Sequence, residues 1–265
     1  MHNYLSADLA EPKSLRNLCR EGVFDGVTSG TAMGHVQANL VILEKDLAYD
    51  FLLFCHRNPK PCPLLDVTEV GSAEPTRIAP GADIRCDLPR YRIYRKGKLV
   101  DEPTNISDHW QDNFVGFLIG CSFTFENALI EAGLPLRHHD LGVNVPMYIT
   151  NIECEPAGRM SGPMVVSMRP LKRTHALRAV EISSRYPSAH GAPVHMGNPR
   201  EIGIYDLDKP DFGNTLPMED DEIPVFWACG VTPQAIVMAI KPDIAITHAP
   251  GHMFVADLYD SDLLH

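Results

Sequence analysis

The chain has 265 residues, 45% of them hydrophobic, and a formal net charge of −11. That is long and apolar enough to bury a core, and too acidic for a nucleic acid or an anionic membrane to be the expected partner. Its seven cysteines (19, 55, 62, 86, 121, 154 and 229) form no C-x-x-C pair, the N-terminal Met1–Asp8 lacks the basic start of a leader, and no apolar run approaches the ~18 residues of a membrane span, so the expectation is a cytoplasmic protein with reduced thiols.

In chain order, residues 14–21 read as a short helix with Leu15, Leu18 and Cys19 on one face and Gly22 ending it. A loop of small residues, Gly26 to Gly34, follows. Residues 40–43 read as a strand, 45–57 as a helix with Leu47, Phe51 and Phe54 inward, and 63–69 as a second strand entered from proline. Tyr91 to Val100 read as a hairpin turning near Lys96-Gly97. Two helices are expected next, one from about Asp108 with Trp110, Phe114 and Phe117 inward, the other over 123–131 and stopped by Gly133 and Pro135. Residues 147–154, 164–168 and 177–183 read as three strands joined by polar turns. After a loop-rich stretch, Val225 to Ala228 form a strand, Thr232 caps a helix with Pro233 in its first turn, Lys241-Pro242 ends that helix, and Ile244 to Ile246 form a strand closed by Pro250-Gly251.

A strand–helix–strand of this size is ordinarily a parallel unit with a right-handed crossover. Two such units, at 40–69 and 224–252, flank antiparallel material. The expected fold is therefore α/β: a three-layer core built from residues 1–80 and 191–265, interrupted by an inserted α+β domain over 81–190. Such a two-part architecture would allow a symmetric dimer.

Ligands in parallel sheets gather beyond the carboxyl ends of the strands. At 224–252 that edge carries Cys229, Gly230, Thr232, Thr247, His248 and His252. Cys229 stands before a helix N-terminus, a setting that lowers a thiol pKa, although free cysteines are more often small core residues. Asp66 ends the matching strand, where a buried carboxylate does acid–base work and an exposed one forms an ion pair. Arg159 and Arg169 offer a fork for a substrate carboxylate, or equally for one of the many Asp and Glu side chains. Ser29, in the small-residue loop, could hold a carboxylate. No metal is expected: His248 and His252 are separated by Pro250-Gly251, which breaks the helix their spacing would need, and His138-His139 and His190…His195 lie in loops with no third ligand in view.

Several stretches are more specific together than singly. They are Gly26-Val-Thr-Ser-Gly-Thr-Ala-Met-Gly-His-Val-Gln-Ala-Asn-Leu40, Asn58-Pro-Lys-Pro-Cys-Pro-Leu-Leu-Asp-Val-Thr-Glu69, Ala82-Asp-Ile-Arg85 with Leu88-Pro-Arg-Tyr-Arg92, and Ile119-Gly-Cys-Ser-Phe-Thr-Phe-Glu126. With them stand Asn144-Val-Pro-Met-Tyr148, Gly162-Pro-Met-Val-Val-Ser-Met-Arg-Pro170, His190-Gly-Ala-Pro-Val-His195 and Val225-Phe-Trp-Ala-Cys-Gly-Val-Thr-Pro-Gln234. From about Ser14 to Asp257 the chain resembles the D-glutamate cyclase family, whose bacterial members are mostly named as hydro-lyases. The resemblance implies a lyase that removes water from a small amino or hydroxy acid, with the conversion of D-glutamate to 5-oxo-D-proline the family's leading activity. It supplies no residue roles. The reading of the residues assigns His248, Asp66 and Cys229 to catalysis. Arg159, Arg169, Ser29, Thr232, Gly230 and Thr247 are assigned to binding a small carboxylate substrate, with no cofactor. The competing readings are a non-catalytic binder of a small carboxylate and, more weakly, a metal-assisted hydrolase.

Overall fold

The computed structural model describes residues 8–264; the reading of Met1–Asp8 as lacking a leader rests mostly on residues outside that range. In chain order the elements are α1 (Pro12–Arg20), β1 (His35–Glu44), α2 (Lys45–Arg57), β2 (Leu64–Val67), β3 (Tyr91–Arg95), β4 (Lys98–Asp101), β5 (Phe114–Gly120), α3 (Phe123–Glu131), α4 (Arg137–Leu141) and β6 (Met147–Glu153). The order continues with β7 (Pro163–Lys172), α5 (Arg173–Ser183), β8 (His195–Met196), β9 (Glu222–Ala228), α6 (Val231–Ala239), β10 (Ala245–His248) and β11 (Phe254–Tyr259).

Two sheets result. The larger runs β2-β5-β1-β10-β3-β4, with β11 also paired to β1; the smaller runs β6-β7-β9-β8. Helices and antiparallel sheets are mixed, as the α/β reading requires, but the parallel detail needs correction. Every strand pairing among the described residues is antiparallel. The unit β1–α2–β2 does run its two strands in the same sense, yet β5 lies between them and pairs with both. The unit β9–α6–β10 joins no neighbours at all, because β9 belongs to the smaller sheet and β10 to the larger. The stretch 81–190 supplies β3, β4 and β5 to the larger sheet and β6 and β7 to the smaller, where β7 pairs along Val166–Lys172 with β9.

Two of the expected elements change type, and α4, which carries His138 and His139, stands where a loop was expected. Residues 114–120 form β5, not a helix; Phe114 and Phe117 mimic helical spacing, but Phe-Val-Gly-Phe-Leu-Ile-Gly is buried at every position. A strand covered on both faces shows a continuous apolar run instead of alternation. Residues 177–183 belong to helix α5, whose buried positions Ala176, Ala179 and Ser183 recur every three to four residues.

Strand β1 shows how the core is divided. Leu40 and Ile42 join Phe125, Leu129 and Trp227 on one face, whereas Val41 and Leu43 join Phe51, Phe54 and Val237 on the other. The larger sheet is thus covered by α2 and α6 on one side and by α3, α5 and the smaller sheet on the other. Each fully buried Leu, Ile or Phe contributes roughly 1.5–3 kcal/mol against leaving it in water. That double cover fixes α3 against β1 and α5, and so places the polar face of α3 between the two sheets.

Candidate functional site

A buried charged cluster lies where α3, α4 and β7 meet. Helix α3 buries Thr124, Phe125, Glu126 and Leu129; a glutamate on the inward face of a helix needs a partner. Strand β7 delivers it. Ser167 and Arg169 are two apart and so share a face, and Arg169 donates from Nε and Nη2 to Glu126 Oε1, from Nη2 to Ser122 Oγ at 3.0 Å and from Nη1 to Ser167 Oγ at 3.0 Å. The guanidinium carbon sits 5.4 Å from the Phe125 ring centre and 5.2 Å from that of Trp227. Both charged side chains are 1% exposed.

The second oxygen of Glu126 faces α4. His139 Nε2 is 3.1 Å from Oε2, and His138 Nε2 is 3.3 Å from Oε1, though not aligned for a hydrogen bond. Burial works to raise the Glu126 pKa. The Arg169 guanidinium and both imidazoles outweigh it and hold the carboxyl well below its usual range. The carboxylate in turn raises the His139 pKa, against a smaller opposing effect of burial.

This cluster opens on a narrow cleft of about 20 Å3, room for about one water molecule as it stands, lined by Ser29, Gly30, Thr31, Met33, His35, Gln37, Phe123, Glu126, Asn127 and His139. The small-residue loop forms one wall and is tied down from two directions. Thr28 donates its hydroxyl to Gln37 Oε1 at 2.7 Å, and Gln37 Nε2 donates back to the Thr28 carbonyl at 2.9 Å. Met253 N–H donates to Thr28 Oγ1 at 3.0 Å. With Gly30 at φ +78°, the loop turns and leaves Ser29 and Gly30 exposed at its tip. A larger hollow of about 490 Å3 lies beside α2 and β2, between Tyr49 and Leu64. Its lining is almost wholly apolar and holds no carboxylate or arginine.

The residues selected from sequence do not converge. Ser29 lines the cleft, and Arg169 stands behind it with its donors committed to Glu126, Ser122 and Ser167. His248 is buried on β10, accepts the Leu40 N–H at Nδ1 (3.0 Å), and has its pKa pushed down to about 4, chiefly by burial. Asp66 accepts the backbone N–H groups of Val67 and Arg77, both at 2.8 Å, and so organises a loop. Cys229 Sγ lies 3.5 Å from Met147 Sδ, and burial raises its thiol pKa, outweighing the lowering from the Val231 backbone. Arg159 is exposed on the far side of α2, beside Asp50 and the Asp46 carbonyl.

Thr232 does not cap α6; Gly230 holds that position, and the Thr232 hydroxyl closes a gap in β7 by accepting from Val165 N and donating to Val165 O. Gly230 lies against Asn39, where a Cβ would overlap the side-chain amide. Thr247 bonds to the His248 carbonyl at 3.0 Å. The sequence reading did not select Glu126, and it passed over His138 and His139 for want of a third ligand. The signals were there: a glutamate among inward helix positions, and an arginine in the apolar run of β7.

A family model described as D-glutamate cyclase matches residues 115–257, more than half the chain. The chain belongs to the D-glutamate cyclase family. Among its relatives is a "Putative hydro-lyase" of Stutzerimonas stutzeri (strain A1501), 62% identical over 95% of each chain. The "Putative hydro-lyase YcsI" of Bacillus subtilis (strain 168) is 60% identical over 95% of this chain and 98% of its own. A solved structure of a nitrogen repressor-like protein from Methanococcus jannaschii aligns over 88% of this chain at 12% identity and a TM-score of 0.39, too slight a likeness to bear on function. The matched segment of this D-glutamate cyclase family member contains α3, α4 and β7, and hence Glu126, His138, His139 and Arg169. No helix among the described residues is long and apolar enough to cross a membrane.

Proposed function

We propose that this protein eliminates water from a small amino or hydroxy acid at the cleft between the small-residue loop and α3–α4, and that its substrate is D-glutamate, closed to 5-oxo-D-proline. The observation that carries the reading is the Glu126 carboxylate. It is buried, held ionised by Arg169, and flanked by two imidazoles, of which His139 lines the cleft beside it. A buried charge of this kind costs several kcal/mol to maintain, and such sites are concentrated where chemistry is done.

In ring closure the substrate ammonium loses a proton, and the freed amine attacks the side-chain carboxyl carbon. The C–N bond forms, the attached nitrogen gives up a second proton, one C–O bond breaks, and the oxygen leaves as water after taking up two protons. The site must hold the five-carbon substrate folded so that both ends meet, which supplies much of the rate. In this reading the loop tip at Ser29 and Gly30 receives the α-carboxylate through its hydroxyl and backbone N–H groups. His35, on the same cleft, takes the ammonium proton. Glu126 and His139 present their polar atoms where the departing oxygen is received, with His138 behind them. Arg169 is a positioning residue: it fixes Glu126 and does not touch substrate.

The test is to incubate purified protein with D- and L-glutamate and follow 5-oxoproline. Product from the D-enantiomer is expected. Absence of product with either enantiomer would remove the cyclase reading, and thermal stabilisation by D-glutamate without product would show a carboxylate binder instead.

A further inference from the structure

We infer that Glu126, His138 and His139 form a binding site for one divalent transition-metal ion of the zinc class, open to the cleft on its fourth side. Three donors meet here. One carboxylate oxygen of Glu126 and one ring nitrogen from each histidine lie within 4.8 Å of one another. His139 Nε2 lies 3.1 Å from Glu126 Oε2 and His138 Nε2 3.3 Å from Oε1, so the two imidazoles approach the carboxylate from its two oxygens. Two imidazoles and one carboxylate are a donor set that suits zinc and its neighbours better than magnesium or calcium, which prefer all-oxygen shells.

A second observation points the same way. His138 is 4% exposed; its Nδ1 has no hydrogen-bond partner, and its Nε2 stands 3.3 Å from Glu126 Oε1 without being aligned for a hydrogen bond. A buried imidazole left so loses hydration that no well-aligned hydrogen bond replaces, which is a cost to folding. A metal ion on Nε2 removes part of that cost. The carboxylate is also prepared for such a role. Arg169 and its serine partners hold Glu126 through Oε1, so Oε2 points to His139 and the cleft. Outer-shell partners of this kind orient a ligating carboxylate.

Charge supplies the third argument, and this part rests on the reading of the cleft as a carboxylate site. None of the residues lining the cleft is a lysine or arginine, and the one cation behind it is neutralised by Glu126. Arg169 and Glu126 offset each other, so the cluster offers an anionic substrate little attraction. A divalent ion makes it positive and sets a Lewis acid beside the departing oxygen.

The experiment uses full-length protein without a polyhistidine tag. Metal content is measured by mass spectrometry on protein as purified, and again after chelation and reconstitution with zinc. A cobalt(II)-substituted sample is examined for the visible bands of a four-coordinate site. About one equivalent of metal per chain is expected, with affinity falling at least about 10-fold in both His138→Asn and His139→Asn. Glu126→Gln breaks the pair with Arg169 and is a poor test on its own, so the two histidine variants, checked for native circular dichroism, carry the result. Less than about a tenth of an equivalent after reconstitution, or unchanged affinity in both histidine variants, would overturn the site. The functional reading fails separately: a protein that binds the metal and forms no product keeps the site and loses the cyclase assignment. Full turnover by metal-free protein would leave cyclase activity standing and remove the ion from the reaction.

Discussion

Replacing Arg169 by methionine tests whether Glu126 depends on its guanidinium. Methionine keeps an unbranched apolar stem between Phe125 and Trp227, so the packing of the ring pair is largely retained while the charge is removed. Both partners are 1% exposed, so almost no solvent screens the carboxylate left behind. Breaking a buried pair by deleting one member costs about 3–5 kcal/mol, because the remaining charge stays desolvated without compensation. For a chain of this length that corresponds to a fall in Tm on the order of 10 °C. The measurement is urea unfolding of the wild type, Arg169→Met, Glu126→Gln and the double variant, in chelator so that only the protein's own groups contribute. The double variant should recover at least about 1 kcal/mol relative to the sum of the singles, since it leaves no orphaned charge. If Arg169→Met costs less than about 1 kcal/mol, or the two effects add within about 0.5 kcal/mol, then Glu126 is not held by Arg169 and the construction of the site is wrong.

Acid should destabilise the protein through two buried histidines outside the Glu126 cluster. His190, which donates to the Lys60 carbonyl, and His248 are buried, and both are pushed from 6.5 down to about 4. Each stays neutral in the folded protein while the unfolded chain takes up a proton, so their contribution is fully present above pH 6.5 and is lost as pH falls toward 4. At pH 5 the pair should have cost about 4 kcal/mol, read as the slope of unfolding free energy against pH; a slope unchanged in a His190→Asn/His248→Asn variant would contradict this. Gly120→Ala should destabilise by about 1–3 kcal/mol, because a Cβ there would overlap the Ser188 carbonyl oxygen, a backbone atom that cannot swing aside. Chemical denaturation checks it, and a neutral result would mean that the segment 187–189 yields easily.

Much of the local structure was legible from the chain alone. Helix α2 runs over Lys45–Arg57 as its apolar spacing and Asn58-Pro59 stop indicate. The hairpin β3–β4 turns at Lys96-Gly97, where both residues have positive φ, as the glycine suggests. The stretches at 26–40, 119–126 and 162–170 pointed to the family that the comparisons show. These features depend on neighbours in sequence, through propensity, capping and short turns. What sequence could not determine was which strands would become neighbours. Placing β5 between β1 and β2, and sending β9 and β10 to different sheets, is decided by burial on both faces, a sum over distant contacts. The site follows the same rule. Glu126, His138, His139 and Arg169 come from α3, α4 and β7, and each on its own reads as an ordinary surface charge or loop histidine. Only when the two sheets close over α3 is the glutamate removed from water, and from then on its ionisation depends on an arginine 43 residues away.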